Sequence, residues 1–325
     1  MRLTLLGAGE IEQALDMQTA MEVNAQAFMA LSRGQVQAPE RLRLETPGGV
    51  GLIMPAALEG APCLSVKVIT IFPGNPGQGL PTSQALLLLL DAGNGQPLAL
   101  MEAARLTALR TGAAAGVATR LLALPQARVL ALLGAGGMAW DQARAVLAAR
   151  PIEEARVYTP SGTSALALAQ RLREAYPGLR AQAVASPRLA VEGAQVISCA
   201  TTSHQPVFDP AWVAPGAHIN GVGSFTPAMR EVPAAGLKGL KVFVDSRQAA
   251  LAEAGELIEA IGQGVLREAD LVEIGQALAG QAPGRGHERE ITFFKSVGLA
   301  AQDAASAQAA LERARHLGLG RQVEL

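Results

Sequence analysis

The stretch ARVLALLGAGGMAWDQA at 127–143 restricts the possible folds more than any other part of the chain. Val129–Leu133 is apolar at every position, as expected for a parallel strand buried on both faces. A turn of small residues follows, and then a helix-forming segment. Gly134, Gly136 and Ala139 fit the G-x-G-x-x-A spacing. The first Gly allows a tight turn, the second lets the backbone approach a pyrophosphate, and Ala139 lets helix and strand pack closely. The helix start offers amide hydrogens and a partial positive charge to phosphates. The rhythm then continues as a helix over 138–149, strand ARVYT, helix SALALAQRLREAY, strand AQAV, the apolar segment LAVEGAQVISCATTS, and strands AHINGVG and KVFVD. Strands alternating with helices of this length predict a doubly wound parallel sheet.

The letters LLGAG occur once more, at Leu5–Gly9. There Glu12 takes the place of the small residue and Glu10 faces the would-be phosphates. That copy reads as a turn opening a helix. Apolar spacing predicts a helix over 10–33, and from Leu42 to Leu100 the pattern changes to strands broken by Pro–Gly clusters. Asn94–Gly95 marks a hairpin. The N-terminal third therefore reads as a small, mostly antiparallel α+β domain, followed by an Ala-rich helix over 102–122. The C-terminal ITFFKSVGLAAQDAASAQAALERARHLG reads as a strand or turn running into a long helix. No low-complexity linker intervenes, so helices near 110 and 300 are expected to cross between domains. The expected division is 1–115 with 300–325, and 116–299.

Composition narrows the function. The 27 basic and 28 acidic residues nearly balance, without the clustered basic face that nucleic acid requires. Cys63 and Cys199 lie in apolar runs, which fits a reducing compartment better than a disulfide. Glu10 and Glu12 come too early for a signal peptide, and the apolar block Ala85–Leu90 is too short to span a membrane. A cytoplasmic protein with a small-molecule partner is expected.

In the loop after the second strand of the parallel sheet, Thr159, Ser161, Thr163 and Ser164 offer hydroxyls but no carboxylate. An acid there would bind the ribose 2′-hydroxyl of NAD; its absence tolerates a 2′-phosphate and slightly favours NADPH over NADH. Three cations stand out in the N-terminal part: Arg41, Lys67 within the strand CLSVKVITIF, and Arg110 within LTALRTGAAAG. A Lys in an apolar strand needs an anionic partner, either a bound anion or an internal salt bridge. The four histidines show no metal-ligand spacing, and GHERE at 286–290 reads as a solvated loop. Asp209, Asp245 and Glu256 are possible acids or bases, with Asp245 better read as a cap or hinge.

Taken in order, KVITIFPGNPGQGLPT, LTALRTGAAAG, GAGGMA, INGVGSFTPAMREV, VDSRQAALAEAGEL and ITFFKSVGLAAQD resemble the ornithine cyclodeaminase/μ-crystallin family over nearly the whole chain. The resemblance implies a Rossmann domain with an N-terminal α+β domain that binds substrate and forms a homodimer. It also implies NAD(P)(H) and an α-amino or α-imino acid. Arg41, Lys67 and Arg110 match cations around the substrate carboxylate and nicotinamide, with Lys67 the candidate catalytic group. Thr82 and Ser83 match polar positions of the same cleft. Gly134, Ala135, Gly136, Gly137 and Met138 fall at the pyrophosphate turn. Thr159, Pro160 and Ser161 fall at the ribose-phosphate loop, where NADPH-binding relatives often carry Asn-Arg-Thr. Pro160 replaces that Arg. Ala200, Thr201, Val222 and Ser296 match positions near adenine, ribose and nicotinamide.

One departure is informative. Cyclodeaminases that resemble this chain read GGDCPGKTE where it reads GVGSFTPAMREV, and their Asp falls on Phe225. Amine oxidation needs a base; reduction of an already protonated cyclic imine does not. The resemblance therefore implies reduction of a ketimine such as Δ1-pyrroline-2-carboxylate, or its six-membered piperideine homologue. Ornithine cyclodeamination and NADPH-dependent ligand binding without catalysis remain as alternatives.

Overall fold

Strict alternation along two adjacent segments builds the first sheet: β5 buries Cys63, Ser65, Lys67 and Ile69, and β6 buries Ala85, Leu87 and Leu89, while the residues between them face the other way. A computed structural model describes residues 2–324 and divides the chain into two compact units, one up to Arg110 and from Leu299 on, the other Thr111–Gly298. The first unit begins with β1 (Arg2–Leu6), α1 (Ala8–Ala14), α2 (Met17–Ser32), β2 (Val36–Gln37), β3 (Leu42–Thr46), β4 (Gly49–Leu58), β5 (Cys63–Ile71), β6 (Ser83–Asp91) and β7 (Pro97–Glu102). The helix expected over 10–33 is two helices. Asp16 interrupts it: its carboxylate accepts from the amide (2.8 Å) and hydroxyl (3.0 Å) of Thr19 and so caps α2. Gly95 takes φ +76° at the β6–β7 hairpin.

Helix α3 (Ala103–Leu122) contributes residues to both units. The second unit continues with β8 (Val129–Leu133), α4 (Ala139–Ala149), β9 (Glu154–Tyr158), α5 (Thr163–Ala175), β10 (Arg180–Ala183), α6 (Pro187–Val191), β11 (Val196–Cys199), β12 (His218–Gly221), β13 (Lys241–Val244), α7 (Arg247–Glu253), α8 (Gly255–Gly262), β14 (Leu271–Glu273), α9 (Ile274–Leu278) and β15 (Thr292–Lys295). Its strands run β10-β9-β8-β11-β12-β15-β13-β14, and every pair is parallel. Ala131 and Leu133 pack into one core and Leu130 and Leu132 into another, so helices cover both faces. The sheet is doubly wound, and its order reverses between β8 and β11. The small residues of LRTGAAAG have a packing reason: a Cβ at Gly112 would fall 2.5 Å from the Asp141 carbonyl, so α3 and α4 meet backbone to backbone.

The chain returns to the first unit through α10 (Ala300–Leu317) and β16 (Arg321–Glu324). Helix α10 packs on β4, β5, β6, α1 and α2, and lies wholly in this unit. The first sheet reads β16-β1-β7-β6-β5-β4-β2, with β3 also on β4; its strands are antiparallel except where β1 joins β7. Among the described residues, no helix is long and apolar enough to cross a membrane, and no group of three or more His, Cys, Asp or Glu is placed to hold a metal ion.

A buried polar chain crosses the second sheet. His218 Nε2 donates to Asn220 Oδ1 (3.1 Å), Nδ1 accepts from Thr292 Oγ1 (2.9 Å), and Asn220 Nδ2 donates to Thr119 Oγ1 (3.0 Å). Burial lowers the His218 pKa to about 3, aided by the charges of Arg285 and Arg150. The folded pKa lies below the unfolded value near 6.5, so the unfolded chain binds the extra proton. This contribution to stability is complete above pH 6.5 and is lost as the pH falls towards 3, at about 1.4 kcal/mol per pH unit. Denaturant unfolding at pH 7, 5 and 4 should show that slope in the native chain and its loss in His218→Asn. Equal slopes in the two proteins would contradict a neutral buried His218.

Candidate active site

In the first unit, inward alternation on β5 places Lys67 where the strand is covered by α10, and its side chain is 1% exposed. Its Nζ lies 2.5 Å from Asp303 Oδ2, in the first turn of α10, and 3.4 Å from Thr107 Oγ1 on α3. Arg110, one turn along α3 from Thr107, donates through Nε to the other oxygen of Asp303 (2.9 Å). Two buried cations thus share one buried carboxylate. Arg41 belongs to the same group by register: Leu42 pairs with Ile53, and the adjacent Met54 pairs with Lys67.

Burial lowers the Lys67 pKa to about 8; Asp303 opposes that shift, while Arg110 and Arg41 reinforce it. Burial also pushes the Asp303 carboxyl up, but the charges of Arg110 and Lys67 outweigh it and hold the group below its usual range. An ammonium so lowered is chemically able to give up a proton, and two cations on one carboxylate make a cluster suited to an anionic ligand.

In the second unit, the loops at the carboxyl ends of β8, β11 and β12 converge where the strand order reverses, the usual crevice for a nucleotide in such sheets. Gly134 has φ +101°, and a Cβ there would stand 2.5 Å from the Ala200 carbonyl oxygen. Gly136 and Gly137 differ: a Cβ on either would meet no protein atom within 4 Å. Packing does not demand glycine at these two positions, and a close-lying ligand would. Met138 N-caps α4. The residues present therefore fit a dinucleotide on the turn 134–138.

Buried carboxylates tie this rim together. Glu231 accepts from the Thr201 amide (2.6 Å) and hydroxyl (2.9 Å) through Oε1, and from the Gly223 amide (2.7 Å) through Oε2. Burial raises its pKa against the opposing charge of Lys295 and these donors. Lys295, at the end of β15, bonds Glu256 (3.2 Å) and the carbonyl of Ser224 (2.6 Å), next to Phe225. Asp245 accepts from the Ser296 hydroxyl (2.7 Å) and the Val297 and Gly298 amides (2.9 Å each). It acts as a clasp on the loop after β15.

The chain matches the ornithine cyclodeaminase/mu-crystallin family over residues 2–317. It belongs to that family. It is 37% identical over 326 residues to a Δ1-pyrroline-2-carboxylate reductase of Bacillus cereus, covering 99% of this chain and 100% of the relative. The structure of Thermococcus litoralis Δ1-pyrroline-2-carboxylate reductase in complex with NADH and L-proline superposes with a TM-score of 0.95 at 38% identity, covering 99% and 100%. An archaeal alanine dehydrogenase dimer with bound NAD superposes at 0.93, with 33% identity and full coverage of both chains.

Within this family member, the structure brings Lys67 and Arg110 together through Asp303. Thr82 lies exposed in the β5–β6 connection, and Ser83 heads β6 opposite Ile71, whereas Lys67 pairs with Leu87 further along. Thr159 is buried and accepts from Ser164 Oγ (3.3 Å); Pro160 and Ser161 are exposed on the same loop. Val222 is buried and its amide donates to the Cys199 carbonyl (3.1 Å). Sequence reasoning missed Asp303 and Glu231. Asp303 had a visible sign, as a lone acid amid the small residues of AAQDAAS.

Proposed function

We propose that this protein reduces a cyclic ketimine carboxylate, Δ1-pyrroline-2-carboxylate to L-proline, and its six-membered homologue to L-pipecolate, with NADPH or NADH. The observation that carries the reading is the buried Lys67–Asp303–Arg110 group, which offers an anion site and a proton carrier together. The similarity to pyrroline-carboxylate reductases supports it. Arg110 and Arg41 hold the substrate carboxylate, with Thr82 lining the same cleft. Lys67 Nζ donates a proton to the ring nitrogen. A reduced nicotinamide, when bound, supplies the hydride that adds to the imine carbon.

Gly134, Ala135, Gly136, Gly137 and Met138 would hold the pyrophosphate, and Thr159, Pro160 and Ser161 the adenosine ribose. Ala200, Thr201, Val222 and Ser296 of the same unit would line the rest of the cofactor. Phe225 stands where cyclodeaminases that resemble this chain carry an Asp, which weighs against ornithine cyclodeamination. With no acid in the 159–164 loop, NADPH keeps a slight advantage, and kcat/KM for the two cofactors compares them. NADPH and NADH oxidation should be assayed with pyrroline-2-carboxylate, piperideine-2-carboxylate, and pyruvate plus ammonia. Turnover of the cyclic imines is expected. Silence with all three would favour a non-catalytic binder.

The partner of the first unit is a second copy of the chain. Opposite the face covered by α10, paired residues Leu42, Ile53, Val68 and Leu86 form an apolar row across four strands, with Leu42, Val68 and Leu86 exposed at 62%, 44% and 54%. Half-buried Pro55, Val66, Leu88 and Leu100 form a second row beside it. A contiguous apolar face of this kind calls for cover. Light scattering behind size exclusion should give a dimer, and Val68→Glu with Leu86→Glu should give a monomer. A native monomer at micromolar concentration would rule the dimer out.

A further inference from the structure

We infer that Asp303 is a positioning residue: acting through Lys67 and Arg110, it fixes where the ammonium and guanidinium point and keeps the ammonium charged. The inference rests on the reading of Lys67 as proton donor. Asp303 is fully buried, and its two oxygens are divided between the cations, Oδ2 to Lys67 at 2.5 Å and Oδ1 to Arg110 at 2.9 Å. A carboxylate split in this way sets the spacing of the two cations as a spacer would. Each cation keeps donors that Asp303 does not use. An ammonium has three N–H groups and a guanidinium five.

The rest of α10 supports that placement. The amide of Leu299, immediately before the helix, donates to Gln302 Oε1 (2.9 Å), and Gln302 Nε2 donates to Asn24 Oδ1 on α2 (2.9 Å). Asn24 Nδ2 in turn donates to the Ala20 carbonyl (2.7 Å) and Ser306 Oγ (3.3 Å). The first turn of α10 is thereby pinned by buried amides on both sides of Asp303. These bonds reach neither Lys67 nor Arg110; they fix the turn that presents the carboxylate.

The charged groups bearing on Lys67 are Asp303 from α10, Arg110 from α3 and Arg41 ahead of β3. Only Asp303 favours the protonated form. Without it, two cations and burial remain, all driving the proton off. An opposite charge at this distance is worth about 1–3 pH units to a titrating group.

The test is the pH–rate profile of imine reduction in Asp303→Asn and Asp303→Glu. In the native enzyme, activity should fall as the pH rises through about 8, where Lys67 loses its proton. Asp303→Asn should move that limb down by roughly 1–3 units, with the dissociation constant for NADH unchanged. Asp303→Glu keeps the charge but displaces both cations, so the limb should stay while kcat falls by about 100-fold. A limb unmoved in Asp303→Asn, or a native kcat in Asp303→Glu, overturns the assignment. Should Asp303→Asn not fold, the Glu variant alone decides.

A readout free of activity separates this proposal from the functional reading. The chain has four lysines, so 15Nζ-lysine NMR gives few signals, and loss of one in Lys67→Met assigns Lys67. A lowered Lys67 titration in Asp303→Asn, in a protein that reduces no imine, would uphold the coupling and sink the reductase reading. An unshifted titration would sink the coupling itself.

Discussion

Lys67→Ala is expected to lose imine reduction by about a hundred- to ten-thousand-fold in kcat, with NADH binding unchanged. The effect is large because neither group bonded to Lys67 is a ready proton donor: Thr107 is a hydroxyl at 3.4 Å, and Asp303 is held ionised by two cations. The variant should fold, since Asp303 keeps Arg110 at 2.9 Å and no buried charge loses its last partner. Lys67→Met fills the vacated volume and serves as the control for packing. Stopped-flow oxidation of NADH separates the chemical step from product release, and fluorescence titration of NADH checks that cofactor binding is kept. Turnover within threefold of native in both variants would remove Lys67 from the reaction.

The second large effect is a contrast between glycines three positions apart. Gly134→Ala puts a Cβ 2.5 Å from the Ala200 carbonyl oxygen at φ +101°. Neither neighbour can give way, because the Ala200 amide is bonded to the Leu133 carbonyl (2.8 Å) and Thr201 is held twice by Glu231. Strained backbone of this kind costs about 1–3 kcal/mol, to which the clash adds. Gly137→Ala meets open space and needs no positive φ, so its stability should stay within about 0.5 kcal/mol of native. Yet the new methyl stands where the pyrophosphate would lie, and NADH affinity should fall at least tenfold. Thermal unfolding without ligand and NADH titration, run on both variants, check this. Equal melting losses, or native NADH affinity in Gly137→Ala, would remove the turn as the cofactor site.

The second unit was legible because its rules are local. A strand buried on both faces is apolar throughout, and the Gly134–Ala139 spacing carries its steric reason within six residues. The break at Asp16 was missed for the opposite reason: apolar spacing continues across it through Leu15 and Met21, and only the Asp16–Thr19 cap marks the new start. Short strands such as β16 carry too few residues to show a period. Lys67 and Arg110 stood out as cations in apolar or small surroundings, but their counter-ion did not. Asp303 is 193 residues from Arg110, and nothing in a one-dimensional pattern pairs two such positions. Glu231 escaped because its partners are mostly backbone amides, which have no letter in a sequence.

The pairing of β1 with β16 has a consequence for the order in which the protein takes shape on the ribosome. Strands at the two ends of the chain lie side by side, Leu3 against Val323, and the parallel-sheet unit is an insertion between the halves of the other. The insertion is complete when Gly298 has emerged, and it can close around its own strands during synthesis. The first unit must wait, with β5 presenting Lys67 to water, until the segment after Gly298 supplies α10 and its carboxylate. Lys67 thus acquires its counter-ion only after the whole parallel-sheet unit has been made, and nascent chains in which residues up to 298 have emerged and later ones have not should bind nucleotide while lacking the Lys67–Asp303–Arg110 group.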